Sequence, residues 1–296
     1  MSPPADDAAQ RLRGVVLICL AFFLFCFLDT SAKFAGREIP ALEVAWFRFA
    51  IHAVLAFAVM RPWRDWSMLA ARHPLLQTLR ALGLLGSTVF NFFALHELQL
   101  ADTTSIGLST PFFIAAIAGP LLGEWAGPRR WAAIVVGFVG VIVVMAPGTD
   151  GFRPAMLFTL GSVLSYTSYA LLTRMLSARE TASSLLFWSA LGPALALTPA
   201  VAPIFVVPPA DPGLWLALLI TGVAGMVGHS FVIRAHTIAP APVLAPFAYT
   251  QLVWMILAGW LVFGDVPHTR TLAGAAIIVA SGLYLLYRER VRKVGL

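Results

Sequence analysis

Ten long apolar stretches, separated by short polar breaks, run along the 296-residue chain. A membrane-crossing helix needs about 20 mostly apolar residues. That length places spans at 14–34, 41–60, 75–97, 101–122, 129–146, 155–177, 182–203, 213–236, 239–263 and 269–287. The breaks carry turn residues, such as Arg61-Pro62, His73-Pro74, Pro147-Gly148, Pro208-Pro209 and Asp265-Val266-Pro267. Two breaks are weak. Only Glu97, Gln99 and Asp102 divide spans three and four, and Arg234, His236 and two prolines divide spans eight and nine.

Composition agrees with lipid as the solvent. Hydrophobic residues make up 59% of the chain, charged residues 11%, and the mean hydropathy is +0.85. A soluble domain carries about 25% charged residues and must face water with its surface. The expected class is an all-α membrane protein. The pI near 9.9 does not point to nucleic acid, because the charges sit in the gaps between spans and not on one face of a domain. Cys19 and Cys26 lie two turns apart in one apolar run and imply neither a disulfide nor a metal site. Residues 1–13 read as a polar cytoplasmic tail and 288–296 as a basic one. The run from Gly14 is too long for a signal-peptide core and lacks a small-residue cleavage site, so it reads as a retained first span.

Lysine and arginine favour the cytoplasmic side of a span. With the N-terminus inside, fifteen fall on the inner face, Arg80 among them, and Lys33, Arg37, Arg153 and Arg270 on the outer face. Arg48 lies within a span. That bias puts both termini in the cytoplasm of a multi-pass inner-membrane protein and requires an even number of spans. The basic residues are then topological signals in contact with the bilayer.

A shift of 141 positions overlays the two halves. Gly123-Glu124 falls on Gly264-Asp265, Lys33 on Arg174, Phe90 on Phe231, Ala94 on Ala235, and Trp46-Phe47 on Phe187-Trp188. Residues 14–146 and 155–287 read as two copies of five spans each. An odd number of spans turns the second copy upside down. Such inverted halves can exchange conformations around a central cavity, which is the architecture of a secondary transporter working by alternating access.

These residues resemble an EamA-type member of the drug/metabolite transporter superfamily, from about residue 14 to 287. The motif positions are Lys33, Pro40, Arg48-Phe49, Gly123-Glu124, Gly137 and Gly140, then Gly264-Asp265, Gly274 and Gly282. The second copy departs at two of them, with Ser189 matching Arg48 and Thr181 matching Pro40. The resemblance implies ten helices around a cavity and export of small metabolites. It is nearest to exporters of amino acids, aromatic or otherwise neutral.

Charged groups inside a span are costly and mark candidate functional positions. Asp29 and Lys33 stand four residues apart on one face, acid first. They form either a neutralised pair near the interface or a coupling pair in which Asp29 carries a proton. Arg48 lies about 10 Å into its span by the helical rise and calls for a partner, with Asp29, Glu43 and Glu97 in view. Glu124 and Asp265 read as helix-end contacts. His96 and His229 are either proton relays or interhelical hydrogen bonds.

Spans four and nine break in corresponding places, at Ser109-Thr110-Pro111 and at Pro246 to Gln251. Proline frees a backbone carbonyl, which points to a midplane site. Asn91, Thr110, Tyr166, Tyr169, His229, Tyr249 and Gln251 supply polar groups and rings that suit a small zwitterion, or else let helices pack closely. Position 163 adds no ring, since it is Val163. Trp63, Trp66, Trp125, Trp131 and Trp215 sit at span ends as interface anchors, leaving Trp188 and Trp254 deep. Asp29, Lys33, Arg48 and His96 are the candidate coupling or gating residues.

No nucleotide-binding G-x-x-x-x-G-K-[ST], H-E-x-x-H or G-x-S-x-G motif is present. The expectation is a carrier without cofactor or metal and not an enzyme. Its partners are a small amino-acid-like substrate and lipid, and protons are a candidate coupling ion. A facilitator of another small metabolite and a membrane-embedded enzyme are the alternatives.

Overall fold

The computed structural model describes residues 4–123, 127–177, 179–239 and 241–294. Glu124 and Trp125 lie outside the described residues, as do the side chains of Arg288, Arg290, Arg292 and Lys293. The helices are α1 (Pro4–Ala35), α2 (Ala41–Met60), α3 (Pro74–Glu97), α4 (Leu100–Gly107), α5 (Thr110–Leu122), α6 (Pro128–Met145), α7 (Ala155–Leu176), α8 (Ala182–Val201), α9 (Pro212–Ile238), α10 (Ala241–Leu244), α11 (Thr250–Ala258) and α12 (Thr269–Val294). Among the described residues, ten stretches are long and apolar enough to span a membrane, and no residue is in a strand.

Local chemistry explains the boundaries. Prolines open α3, α6 and α9, where a missing N–H costs no helical bond. Gly123 closes α5 with φ 73° and ψ 9°, and its counterpart Gly264 closes span nine with φ 70° and ψ 13°. Both adopt the left-handed conformation that favours glycine. The tails differ from expectation. α1 begins at Pro4 and α12 runs on to Val294, so much of each tail extends a membrane helix.

Spans four and nine break where the sequence indicates. Span four is α4 followed by α5, with Leu108 and Ser109 between them. Pro111 cannot donate to the Gly107 carbonyl, and Thr110 Oγ1 donates to it instead at 2.7 Å. Span nine is segmented: a 3₁₀ turn at Ala245–Tyr249, then α11, then a π turn at Gly259–Phe263.

The chain forms two compact units, each drawing on both sequence copies. The first comprises residues 1–26, 99–153 and 227–296, the second 27–98 and 154–226. Helices α1 and α9 contribute to both.

In the first unit, α6 crosses α12, and α4 packs on α11. A Cβ at Gly140 would collide with Ile278 and the Gly274 carbonyl, so glycine permits the close crossing. Ile18, Ala235, Ala239 and Leu244 join α1 to α9 and α10.

In the second unit, α3 packs along α7, and α8 lies against both α2 and α3. Here the contacts are reciprocal under the 141-position shift. Trp46 Nε1 donates to Thr198 Oγ1 at 3.0 Å, and the shifted pair, Phe187 and Phe57, is in ring contact at 6.3 Å. Gly222 abuts Ile51, and the shifted pair, Ala81 and Gly192, is also in contact. Two copies related by a two-fold axis repeat every contact this way. The fold is therefore an inverted repeat, as the sequence predicts.

Candidate functional site

Three helix ends of the second unit bring a polar group to one depth. Asp29 stands six residues before the end of α1, Asn91 six before the end of α3, and Arg48 seven after the start of α2. At 1.5 Å per residue, each is about 9–10 Å from its helix end. Asn91 Nδ2 donates to Asp29 Oδ1 at 3.1 Å. Arg48 Nη1 donates to Thr88 Oγ1 at 2.9 Å, and its guanidinium lies over the Phe49 ring, 4.5 Å from the centroid. Asp29 and Arg48 lie within electrostatic range of each other. Of the three partners in view for Arg48, only Asp29 belongs to this group. Glu43 is instead buried at the start of α2, where it accepts the Val206 N–H at 3.1 Å.

Arg48 is 5% exposed, and its Nε has no hydrogen-bond partner among the described residues. A Cβ at position 225 would stand 3.7 Å from that nitrogen, so Gly225 leaves room beside it. Buried charges are stable only when paired or hydrogen-bonded. A guanidinium with a donor to spare can receive a carboxylate, and the carboxylate at the same depth can receive an ammonium.

The group has no duplicate. Shifting Asp29, Arg48, Asn91 and Thr88 by 141 gives Ala170, Ser189, Val232 and His229. Neither the two charges nor the amide survives in the second copy, so the chain has one such group and not two.

Lys33 and His96 lie nearer the helix ends. Lys33 Nζ donates to the Leu98 carbonyl at 2.9 Å, capping α3, and His96 stands by Gly36. The carboxylate four residues before Lys33 is held by Asn91. Tyr166 and Tyr169 are in ring contact at 5.6 Å, and Tyr169 also covers the Arg80 guanidinium at 5.4 Å. Trp188 is not brought to this group. Its Nε1 donates at 2.8 Å to the Leu69 carbonyl, in the segment after α2, while Arg48 is twelve residues before that helix ends. Helix position alone overstates its depth, because the connecting segment folds back onto it.

The remaining candidates belong to the first unit. Trp254 meets Phe23 edge-on at 5.0 Å, and His229 faces Phe25 at 5.1 Å. Tyr249 packs on Gly282, where any Cβ would collide with its hydroxyl. Thr110 serves the local carbonyl described above, and Gln251 is half-buried in α11.

Two residues were missed at the sequence level. His52 is buried in α2, one turn beyond Arg48; an ionisable residue eleven positions into a span is the signal that finds it. Arg80, counted above among the inner-face charges, is 1% exposed. It donates to Gln77 Oε1, Thr173 Oγ1 and the Leu185 carbonyl, so it ties α3 to α7 and α8, and the inner-face count falls to fourteen.

Outside the spans, the Glu180 carboxylate sits at the start of α3. It accepts the His73 N–H at 2.7 Å, and His73 Nδ1 lies 3.4 Å away. Burial alone would push this carboxyl up. The backbone N–H groups of Arg72 and His73, then the His73 ring, outweigh it and hold the group below the usual carboxylate range. Among the described residues, no cluster of His, Cys, Asp and Glu could hold a metal ion.

Comparison with known proteins matches the model of the EamA-like transporter family to residues 12–146 and again to 153–288. The chain is 27% identical to an S-adenosylmethionine uptake transporter of Rickettsia felis, over 96% of each chain. It is 27% identical to a riboflavin transporter of Vibrio cholerae, over 94% of each. It is 29% identical to a pseudopaline exporter of Pseudomonas aeruginosa, over 92% of this chain and 95% of that one. A solved crystal structure aligns with a TM-score of 0.64 at 19% identity, over 94% of this chain and 97% of that one, which shows the fold.

Proposed function

The chain belongs to the EamA-like transporter family, and from that premise we propose that it carries small zwitterionic metabolites bearing an amino-acid head, neutral and aromatic amino acids among them. It is a transporter of small metabolites and a multi-pass membrane protein. The finer reading rests on the buried Arg48, its unpartnered Nε and the Asp29–Asn91 pair at the same depth. In this reading Arg48 receives the substrate carboxylate and Asp29 its ammonium. Thr88 and Asn91 hold the two charges in place, and Asp29 also carries a coupled proton. Lys33 and His96 serve the rim of the group. Tyr166 and Tyr169, in the same unit, are proposed to meet the rest of the substrate. S-adenosylmethionine, the substrate named for one relative, joins an amino-acid head to a flat base, which supports a zwitterion with an aromatic part.

Export, with both termini in the cytoplasm of the inner membrane, completes the proposal. The fourteen-to-four distribution of Lys and Arg supports the orientation. The test is counterflow in liposomes holding the purified protein, with a panel of amino acids, S-adenosylmethionine and riboflavin. Exchange of amino acids or S-adenosylmethionine that is lost on Arg48→Gln supports the reading. Exchange of riboflavin alone, unaffected by that substitution, overturns the amino-acid head. Efflux from everted vesicles, without accumulation inside them, overturns the direction.

A further inference from the structure

The second unit contains a crevice of about 140 Å³ between α3, α8 and the segment before α3. Ala81, Leu82, Trp188, Gly192 and Ala196 line it, with Gln77 and Thr78 as its polar members. Its origin lies in a difference between the two sequence copies. Shifted by 141, Gly192 becomes Ile51, Ala196 becomes Leu55, and Ala81 becomes Gly222. At that other crossing the Ile51 side chain packs directly on Gly222. The second copy has glycine and alanine where the first has isoleucine and leucine, and the space stays open.

A crevice with apolar walls does not hold water well. This one lies on a face that meets lipid: Leu79, Leu82 and Leu195 are 46%, 46% and 59% exposed, on helices that span the membrane. Leu82 is eight residues beyond Pro74, so the crevice reaches about 12 Å from the start of α3. At the other end, Ala71 and Pro74 line it, with the exposed Arg72 between them. Arg61, Arg64, Trp63 and Trp66, also exposed, belong to the same segment, which is the composition of a headgroup zone.

We propose that this crevice is a binding site for one anionic phospholipid, with an acyl chain against Ala81, Gly192 and Trp188 and the headgroup phosphate at Arg72. The apolar part takes the chain, and the basic segment selects a negative headgroup. Trp188 Nε1 is satisfied by the Leu69 carbonyl, so its ring meets the chain without an unpaired donor.

The test is native mass spectrometry of the purified full chain, equilibrated with equal phosphatidylglycerol and phosphatidylcholine and then partly delipidated. The wild type retains one phosphatidylglycerol. The paired substitution Ala81→Gly with Gly192→Ile, which copies the filled crossing of Gly222 and Ile51, abolishes retention. Arg72→Gln lowers the preference for phosphatidylglycerol about fivefold. Equal retention by the wild type and the paired variant overturns the site. Equal retention of both lipids by the wild type overturns the headgroup assignment. Should the paired variant not fold, fluorescence decides. Phosphatidylglycerol brominated on its acyl chain quenches the wild type saturably, and Trp188→Phe removes that component. Quenching that is unchanged by Trp188→Phe, or that rises linearly with lipid, overturns the proposal. Soluble glycerophosphoglycerol, the headgroup alone, neither binds nor competes; competition by it at low millimolar concentration overturns the acyl-chain part.

Discussion

Ser281 Oγ donates a hydrogen bond to the carbonyl of Ala133, across the crossing of α12 and α6. The same crossing sets Gly140 against Gly274. A shift of 141 turns one pair into the other, since Ala133 maps to Gly274 and Gly140 to Ser281. One point of contact therefore occurs twice, on either side of a pseudo-two-fold axis, and each occurrence needs small residues. Gly140→Leu drives a side chain into the opposite backbone, and overpacking of that kind costs about 1–3 kcal/mol. Ser281→Ala removes only one hydrogen bond, about 0.5–1.5 kcal/mol. Thermal unfolding in detergent is expected to rank Gly140→Leu well below Ser281→Ala, with the wild type above both.

Arg48 is expected to be needed for transport more than for folding. Losing a charge-assisted hydrogen bond to substrate removes about 1.5–3 kcal/mol, a fall in kcat/KM of about ten- to a hundredfold. Arg48→Lys recovers only part of it, because an ammonium lacks the planar fork. Initial rates in liposomes, alongside size-exclusion profiles, check both halves. A variant that folds and transports at the wild-type rate removes Arg48 from the site.

Asp29→Asn keeps an acceptor for Asn91 but cannot release a proton. The expected result separates two assays. Counterflow exchange falls, because the substrate ammonium loses its charged partner, but persists, while accumulation driven by an imposed pH gradient stops altogether. If accumulation persists in the variant, the coupled proton is carried elsewhere.

Glu180 gives a pH dependence of stability. Its folded pKa lies below the unfolded value, so its contribution is complete above the ordinary glutamate pKa of about 4.3 and is lost as pH falls through the lower folded value. Melting temperatures from pH 7 to pH 3 are expected to show an acid loss in the wild type that Glu180→Gln lacks. At pH 7 the variant is expected to be less stable by about 1 kcal/mol, from the carboxylate at a helix start.

Green fluorescent protein fused after residue 296 is expected to fluoresce, and alkaline phosphatase fused at residue 150 to be active. The reverse pattern overturns the proposed orientation.

Hydropathy sums over about 20 residues, so ten spans and both broken ones are legible in the sequence, and the fixed offset reveals the repeat. Side-chain partners are less legible. The Asp29–Asn91 bond joins positions 62 apart, and no one-dimensional spacing foretells it. Arg80 misleads because nearness to a span end resembles exposure, while its guanidinium has turned inward to Leu185. Trp188 misleads for the converse reason: a connecting segment returns to meet it. Position along a helix gives depth within that helix, not what has folded over it.

Gly123 and Gly264 end their helices with nearly the same backbone angles. An inverted repeat presents one of these turns to each side of the bilayer, so the main chain carries no arrow. What tells one copy from the other lies where they disagree, as at Asp29 against Ala170, Arg48 against Ser189, Asn91 against Val232 and Ile51 against Gly192. A carrier built this way can make its two faces alike by editing a few side chains, with its skeleton untouched.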